Sequence, residues 1–560
     1  MNQNECSRGI KLPQRITAIF TRNKEYPVID KIVVAYIGAV LFFQILLQIS
    51  PVVTFLTTTP LYSIQTYLGL LGGFLIVLDC FTTKRIWQGK YCVLLLAILG
   101  LALLASVRTI AYGTKENLFK LCWMAIQFAL VYTCAFRLER EQLKKYVKYF
   151  FYLLLAIWFV ACCVSLYQYV NQIGYTYVVN PLAQDASLNR QGFFDNRLFG
   201  IFYTLNHAAY ISLFFMVIAV VCMVTEKRIW VKVCLGVAEF ALLCYIILSG
   251  SRSAMISLVA CGAVAAWFVS RNMLKVCGAL KPVISFAVAL GVAVACYLGY
   301  TGLKSGLTQV PYLTQLFVYN MQNDPQPTID PANPSGVPGD PSDPSNPTAD
   351  PSDPTADPTD PSGAPIDPSD PTADPSAPTK KPMEKPTYDE DILNREYLED
   401  DVTNDRMEIW LDYIRLYKEI GVMGLSPGNY MQYIMENHAD LYIVDYIKQN
   451  YPAKYESGII YHVHSGYMMV YVSAGIAGIL SLAVFILLYL IRLIAIILKN
   501  KKVSSLFIGA FALVVSGALS AFFDEGLFFQ NNVQTTIFWF ALGLLMRGSM
   551  VKAEDESDAQ

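Results

Sequence analysis

The chain has 560 residues, 54% of them hydrophobic and only 15% charged, with a formal net charge of −2. Its apolar residues fall in runs of roughly 17–25, the length that crosses a hydrocarbon core, so the chain reads as an integral membrane protein. The strict ten-residue alternation of a membrane β-barrel is absent, which leaves helices. The small net charge averages a basic inner face with an acidic outer loop, so it selects no partner, and none is expected among nucleic acids.

Residues 1–31 are polar and basic (Arg8, Lys11, Arg15, Arg22, Lys24) and lack a small-residue cleavage site. A cytoplasmic start is therefore expected, without a secretory signal peptide. Nine spans are predicted within 32–300, near 32–50, 61–80, 91–107, 117–136, 147–170, 205–224, 229–248, 253–270 and 282–300. Three more are predicted within 466–547, near 466–491, 503–523 and 533–547. The fold expected is an all-α integral membrane protein of about twelve transmembrane helices, since a spanning helix satisfies its own backbone in lipid.

Every other loop is basic. Lys84, Arg85 and Lys90 share a side with Arg137, Lys144, Lys145 and Lys148, then with Lys227, Arg228 and Lys232. Arg271, Lys275 and Lys281 join them, as do Arg492, Lys499, Lys501 and Lys502, and finally Arg547 and Lys552 around the tail 548–560. The positive-inside rule then makes both termini cytoplasmic. The thirteen cysteines sit almost entirely in or beside spans as small apolar fillers, and no Cys/His spacing resembles a zinc site.

Residues 301–465 form one large outer loop before span ten. Its 324–386 stretch is built from Asp-Pro-Ser and Thr-Ala-Asp-Pro units with almost no aliphatic residues. Such a segment cannot bury enough surface to offset the entropy of folding, so disorder and a spacer role are expected. Residues 400–460 are expected to be helical. In 405–420, Ile409, Trp410, Tyr413, Ile414 and Tyr417 share one stripe, with Glu408, Asp412, Arg415 and Lys418 away from it. Asn404 or Asp405 is the expected N-cap and Gly421 the C-cap.

Three arginines and two histidines lie at the predicted outer ends of spans: Arg197, Arg252, Arg406, His462 and His464. Charge is costly in hydrocarbon, and guanidinium is the side chain best suited to a diphosphate. In RLFGIFYTLNH, residues 197–207, Arg197 precedes span six, Gly200 allows close approach and Asn206 sits at the helix entrance. SGSRSA, residues 249–254, is a short hairpin with Arg252 opening span eight. An imidazole of ordinary pKa near 6.5, such as His464, can accept a proton from a hydroxyl at ambient pH. Glu239 and Lys120 look intramembrane without evident partners, and Asp524 and Glu525 occupy an outer turn.

Together these pieces resemble the O-antigen ligase and polymerase family of bacterial membrane glycosyltransferases. The resemblance rests on Arg197, Gly200 and Asn206; on residues 249–253; on Arg406, Trp410, Gly424, Gly428, Asn429 and Tyr430; and on His464 through Gly478. It covers roughly 195–490 outside the repeat, with Ser465 standing where the family commonly has Asn. The resemblance implies transfer of a glycan from a polyprenyl-diphosphate carrier to an acceptor hydroxyl of the cell envelope (lipid, glycan or protein). No cofactor, metal or nucleotide sugar would be needed, and the site would face outward from the cell membrane. His464 and Arg252 would be catalytic, with Arg197, Arg252, Arg406, Asn206 and His462 binding diphosphate or substrate. A polymerase extending a lipid-linked chain is an alternative, and so is a flippase or exporter of lipid-linked oligosaccharide. A transporter, however, should carry its charges along a midplane path.

Overall fold

A computed structural model describes residues 27–59, 63–178, 188–275, 280–323, 386–389, 392–393, 406–500 and 502–547. The disorder expected of 324–386 falls, but for Pro386, outside the described residues. So do the start of the chain through residue 26, the tail 548–560 and the cap expected at Asn404 or Asp405. The chain divides into two compact units, 1–311 with 389–560, and 312–388. In the smaller one the rings of Tyr312 and Tyr388 meet edge to face at 5.7 Å.

The protein is a mostly helical membrane protein, and each predicted span overlaps a helix. In chain order these are α1 (Pro27–Leu46), α2 (Ser50–Thr57), α3 (Ile64–Phe81), α4 (Cys92–Arg108), α5 (Lys115–Ile126) and α6 (Arg140–Val170). After a small sheet come α7 (Leu205–Thr225), α8 (Ile229–Ser249), α9 (Arg252–Met273), α10 (Leu280–Thr308) and α11 (Val310–Asn323). The loop region supplies α12 (Arg406–Arg415), α13 (Tyr417–Ile420), α14 (Tyr430–Asn437), α15 (Tyr442–Asn450) and α16 (Pro452–Glu456). The last three are α17 (Gly466–Lys499), α18 (Ser505–Ser520) and α19 (Val533–Met546). Among the described residues, nine helices are long and apolar enough to cross a membrane, and α4, α18 and α19 are shorter apolar helices at predicted spans three, eleven and twelve.

Several expectations change. The region before α7 is a three-stranded antiparallel sheet, β1 (Gly174–Val178), β2 (Leu188–Phe194) and β3 (Arg197–Gly200), in the order β1-β2-β3. Asp195 and Asn196 turn the β2–β3 hairpin with φ of 48° and 56°. Asp and Asn tolerate that region, and two positive φ values give the strand-compatible twist of a two-residue hairpin. Helix α10 runs eight residues past its predicted end at 300, to Thr308.

The stripe on 405–420 is half right. Ile409 and Tyr413 are buried, but Ile414, still within α12, and Tyr417, beyond the break at Leu416, are exposed. Asp412, placed on the wet face by periodicity, is buried and accepts from the Ile443 amide at 3.2 Å.

At the bundle end opposite the candidate site, Arg85 and Arg137 are not simple loop charges. Both are buried with Asp30 and Asp79. Arg137 Nη1 lies 3.2 Å from Asp30 and 2.7 Å from Asp79, and Arg85 Nη2 lies 2.5 Å from Asp30. Removing one member would strand an uncompensated buried charge, at about 3–5 kcal/mol. The eleven described cysteines are free thiols.

Candidate functional site

Arg197 opens β3, and the chain after it is pinned in place. Ile201 accepts from the Ser50 amide at 2.8 Å, the Tyr203 amide donates to Gln48 at 2.8 Å, and Phe202 is buried against Trp158 and Tyr245. Gly200, at φ 66°, passes so close to Ser165 that an added Cβ would sit 2.2 Å from its hydroxyl. Arg197 Nε donates to the Ser249 carbonyl at 2.8 Å, and Nη2 reaches Asn206 Oδ1 at 3.4 Å. The guanidinium is thus held against the 249–253 turn. That turn is tight because Gly250 takes a left-handed C-cap of α8 and Ser251 starts α9, which puts half-buried Arg252 at its first position. Asn206 orients Arg197.

Arg406, His462 and His464 come together on a second surface. Helix α12 lays Trp410 and Tyr413 on the extended 461–465 segment, donating to the carbonyls of Val463 (2.9 Å) and Tyr461 (2.7 Å). The same segment is fixed from the other side. Ser465 Oγ donates to Ala521 at 3.1 Å, and the Gly466 amide donates to Ala521 at 2.7 Å and Asp524 at 2.9 Å. His464 is held between these anchors at φ 44°, a region uncommon for a non-glycine residue and enriched at functional sites. The Arg406 guanidinium lies 5.9 Å from the Phe523 ring centroid.

The turn from α18 to α19 presents Asp524 and Glu525 to two histidines. Glu525 Oε1 is 3.3 Å from His462 Nδ1. Asp524 Oδ2 is 3.0 Å from His207 Nε2. His207 follows Asn206 at the start of α7, so it connects the Arg197–Ser249 group to the Arg406–His464 group. Lys120 also finds a partner, donating to the Pro427 carbonyl at 3.2 Å. Glu239 lies apart in α8, with one buried carboxylate oxygen unbonded.

Electrostatics differ within the cluster. Burial pushes the His464 imidazole below its ordinary pKa, and His462 and Arg406 add to that; Glu525 and Asp524 oppose it only in part. Burial would raise the Glu525 carboxyl, but His462 beside it, with Lys120 and His464, brings it down to about 2. The result is a neutral imidazole at ambient pH with a carboxylate and the Arg406 guanidinium nearby. Such a set can accept a proton from a hydroxyl and stabilise developing negative charge on a leaving group.

A second scaffold holds α12 in place. The loop 421–429 inserts into α17, whose helix is broken at Gly475 (φ 68°, ψ −165°). Beyond the break, the Ile476 and Ala477 amides donate to Gly421 and Val422, both at 3.1 Å, and the Leu425 amide donates back to Val472 at 2.7 Å. The orphan amides of the second half-helix are therefore satisfied by the loop. On its other side the loop bonds to α4 and α5. Asn429 donates to Thr109 (2.8 Å) and Gly113 (2.7 Å), and Arg108 to Glu419 (3.1 Å) and Gly424.

Of the predicted site residues, Arg197, Asn206 and the Arg252 turn form one group, and Arg406, His462 and His464 another. Sequence reasoning missed His207 and undervalued Asp524 and Glu525. The available signal was composition: His207 is one of only four histidines and stands at a helix entrance beside a singled-out Asn. Among the described residues, no group of three or more His, Cys, Asp or Glu is placed to hold a metal ion. Residues 237–483 match the family model described as O-Antigen ligase. No curated protein and no solved structure matches the chain.

Proposed function

We propose that this chain, whose residues 237–483 match the O-antigen ligase family model, is a membrane enzyme of polysaccharide assembly that transfers a lipid-linked glycan from a polyprenyl-diphosphate carrier to an acceptor hydroxyl of the cell envelope. The observation that carries the reading is the convergence of His464, Arg406 and the 524–525 turn, tied through His207 and Asn206 to Arg197 and the Arg252 turn. In this reading the acceptor oxygen attacks the anomeric carbon from the side opposite the diphosphate, so configuration inverts. The hydroxyl proton passes to His464, and the carbon–oxygen bond to the diphosphate breaks with its electron pair. Arg197 and Arg252 bear the charge that grows there, each bond contributing roughly 1.5–3 kcal/mol. Arg406 holds phosphate or acceptor from the α12 side, and His462 is paired with Glu525 beside it. Guanidinium groups do the electrostatic work, and no metal or cofactor takes part.

Twelve spans with both termini cytoplasmic would turn this end outward, because the lysine-rich loops around Lys84, Lys144, Lys227 and Lys499 belong to the opposite end. The Asp-Pro repeat would then be an outer spacer. The direct test is purified protein in nanodiscs, supplied with polyprenyl-diphosphate-linked glycan and envelope acceptor, with the transferred glycan followed by gel shift and mass spectrometry. No transfer from any lipid-linked glycan of the producing cell would overturn the proposal. Deleting 324–382 should leave the rate within about twofold, since so Asp- and Pro-rich a sequence is suited to a spacer role. A collapse of turnover would end the spacer reading.

The pH profile is a further check. With His464 held below its ordinary value, the acid limb of transfer should lie below pH 6.5. Glu525→Gln removes a carboxylate that favours the imidazolium, so the limb should move lower still. A shift upward, or no acid limb, would remove His464 from the role of base.

A further inference from the structure

The outer helices carry a continuous line of tyrosine rings that ends on His464. Tyr446 stacks on Tyr461 with centroids 5.0 Å apart and planes at 28°. Tyr442 lies over the same ring at 6.3 Å and 19°. Tyr451 continues the line from Tyr446 at 6.3 Å, and Tyr461 meets the His464 imidazole edge-on at 6.0 Å. Tyr451 is 46% exposed, while Tyr442, Tyr446 and Tyr461 are half-buried.

The line is built by local sequence. Residues 442, 446 and 451 fall along one side of α15 and its end, and the opposite side buries Ile443, Val444 and Ile447. Tyr461 is turned toward them by the segment that Tyr413 anchors.

From this we infer that the tyrosine line is a saccharide-binding track that seats the acceptor glycan and leads its terminal hydroxyl to His464. Ring faces carry partial negative charge, which attracts the polarised C–H groups of a pyranose face, while phenolic hydroxyls at the rims bond its hydroxyls. Stiff aromatic side chains offer that surface at little entropic cost. The track meets the site at the imidazole, whereas Arg197 and the 249–253 turn join it through His207 and Asp524. That placement assigns the track to the nucleophile's side and the arginine turn to the diphosphate's. The inference rests on the proposed transferase reading and sharpens it, because it makes the acceptor a saccharide.

The test uses the full chain in detergent micelles and saturation-transfer NMR with two probes. One is oligosaccharide from mild acid hydrolysis of the producing cell's polyprenyl-diphosphate pool, and the other is fragments of its envelope polysaccharide. Wild type should bind the envelope fragments, with Tyr451→Ala and Tyr446→Ala each weakening them about tenfold and Tyr446→Trp retaining them. Binding of the donor-derived oligosaccharide should be unchanged, and in transfer assays Tyr451→Ala should raise the acceptor KM with kcat preserved. Tyr451 is exposed, so its variant tests the track even where Tyr446→Ala unfolds. Alanine variants that bind like wild type, or binding of the donor-derived sugar alone, would overturn the inference, as would a wild type that binds neither probe. Binding as expected by a protein that transfers nothing would sink the transferase reading and leave the track standing. Transfer without acceptor-saccharide binding would do the reverse.

Discussion

His464→Ala should lower glycan transfer by about 10²–10⁴-fold, the range for losing a positioned general base. Arg252→Ala should lower it by about 10²–10³-fold, as for losing one donor to a charge that exists only in the transition state. Neither residue belongs to the buried core, so both variants should purify and melt like wild type. Arg252→Lys keeps the charge but loses the planar fork, and partial activity is expected. The measurement is initial rate in nanodiscs with lipid-linked glycan, alongside a thermal melt. Wild-type rates in the two alanine variants would disprove the site assignment. A melting loss equal to the rate loss would show that the residues only hold the fold.

The second large effect is expected far from the chemistry, at Gly475. Its φ and ψ fall in a region that glycine alone adopts, and an added Cβ would stand 2.3 Å from the Val422 carbonyl oxygen. Gly475→Ala therefore forces the 421–425 loop off the broken helix or straightens α17. Either change removes the bonds that satisfy Ile476 and Ala477 and loosens α12, which carries Arg406. Strain of about 1–3 kcal/mol is expected from the backbone alone. A displacement near 1 Å at a reacting group can cost on the order of a hundredfold in rate. Gly236→Ala, a helical position with open space around its Cβ, is the control and should change neither quantity. Equal behaviour of the two variants would show that the loop–helix junction does not position Arg406.

The pattern of legibility follows from range. Spans could be read because each is a local property: about twenty apolar residues, bounded by charge, satisfy their own backbone. Arg197, Arg252 and His464 could be singled out for a similar reason, since a charge at a span end stands out against apolar neighbours. The β2–β3 hairpin is not legible in the sequence although Asp195 and Asn196 carry its turn chemistry, because the strands are too short to impose a period. Periodicity puts Tyr417 on the buried stripe, yet it lies beyond the helix break at Leu416 and is exposed.

By itself, the amino-acid order determined the membrane helices, the basic loops on alternate connections and the short motifs of the candidate site. Which charges meet was decided only by tertiary packing. His207 reaches Asp524 across 317 positions of chain, and His462 reaches Glu525 across 63. Arg137 finds Asp30 and Asp79 in the same way. Periodicity places a side chain on a face of its own helix, whereas the partner on a neighbouring helix depends on crossing angle and register. Those are set by the summed packing of many apolar contacts, and no local window of sequence contains that sum.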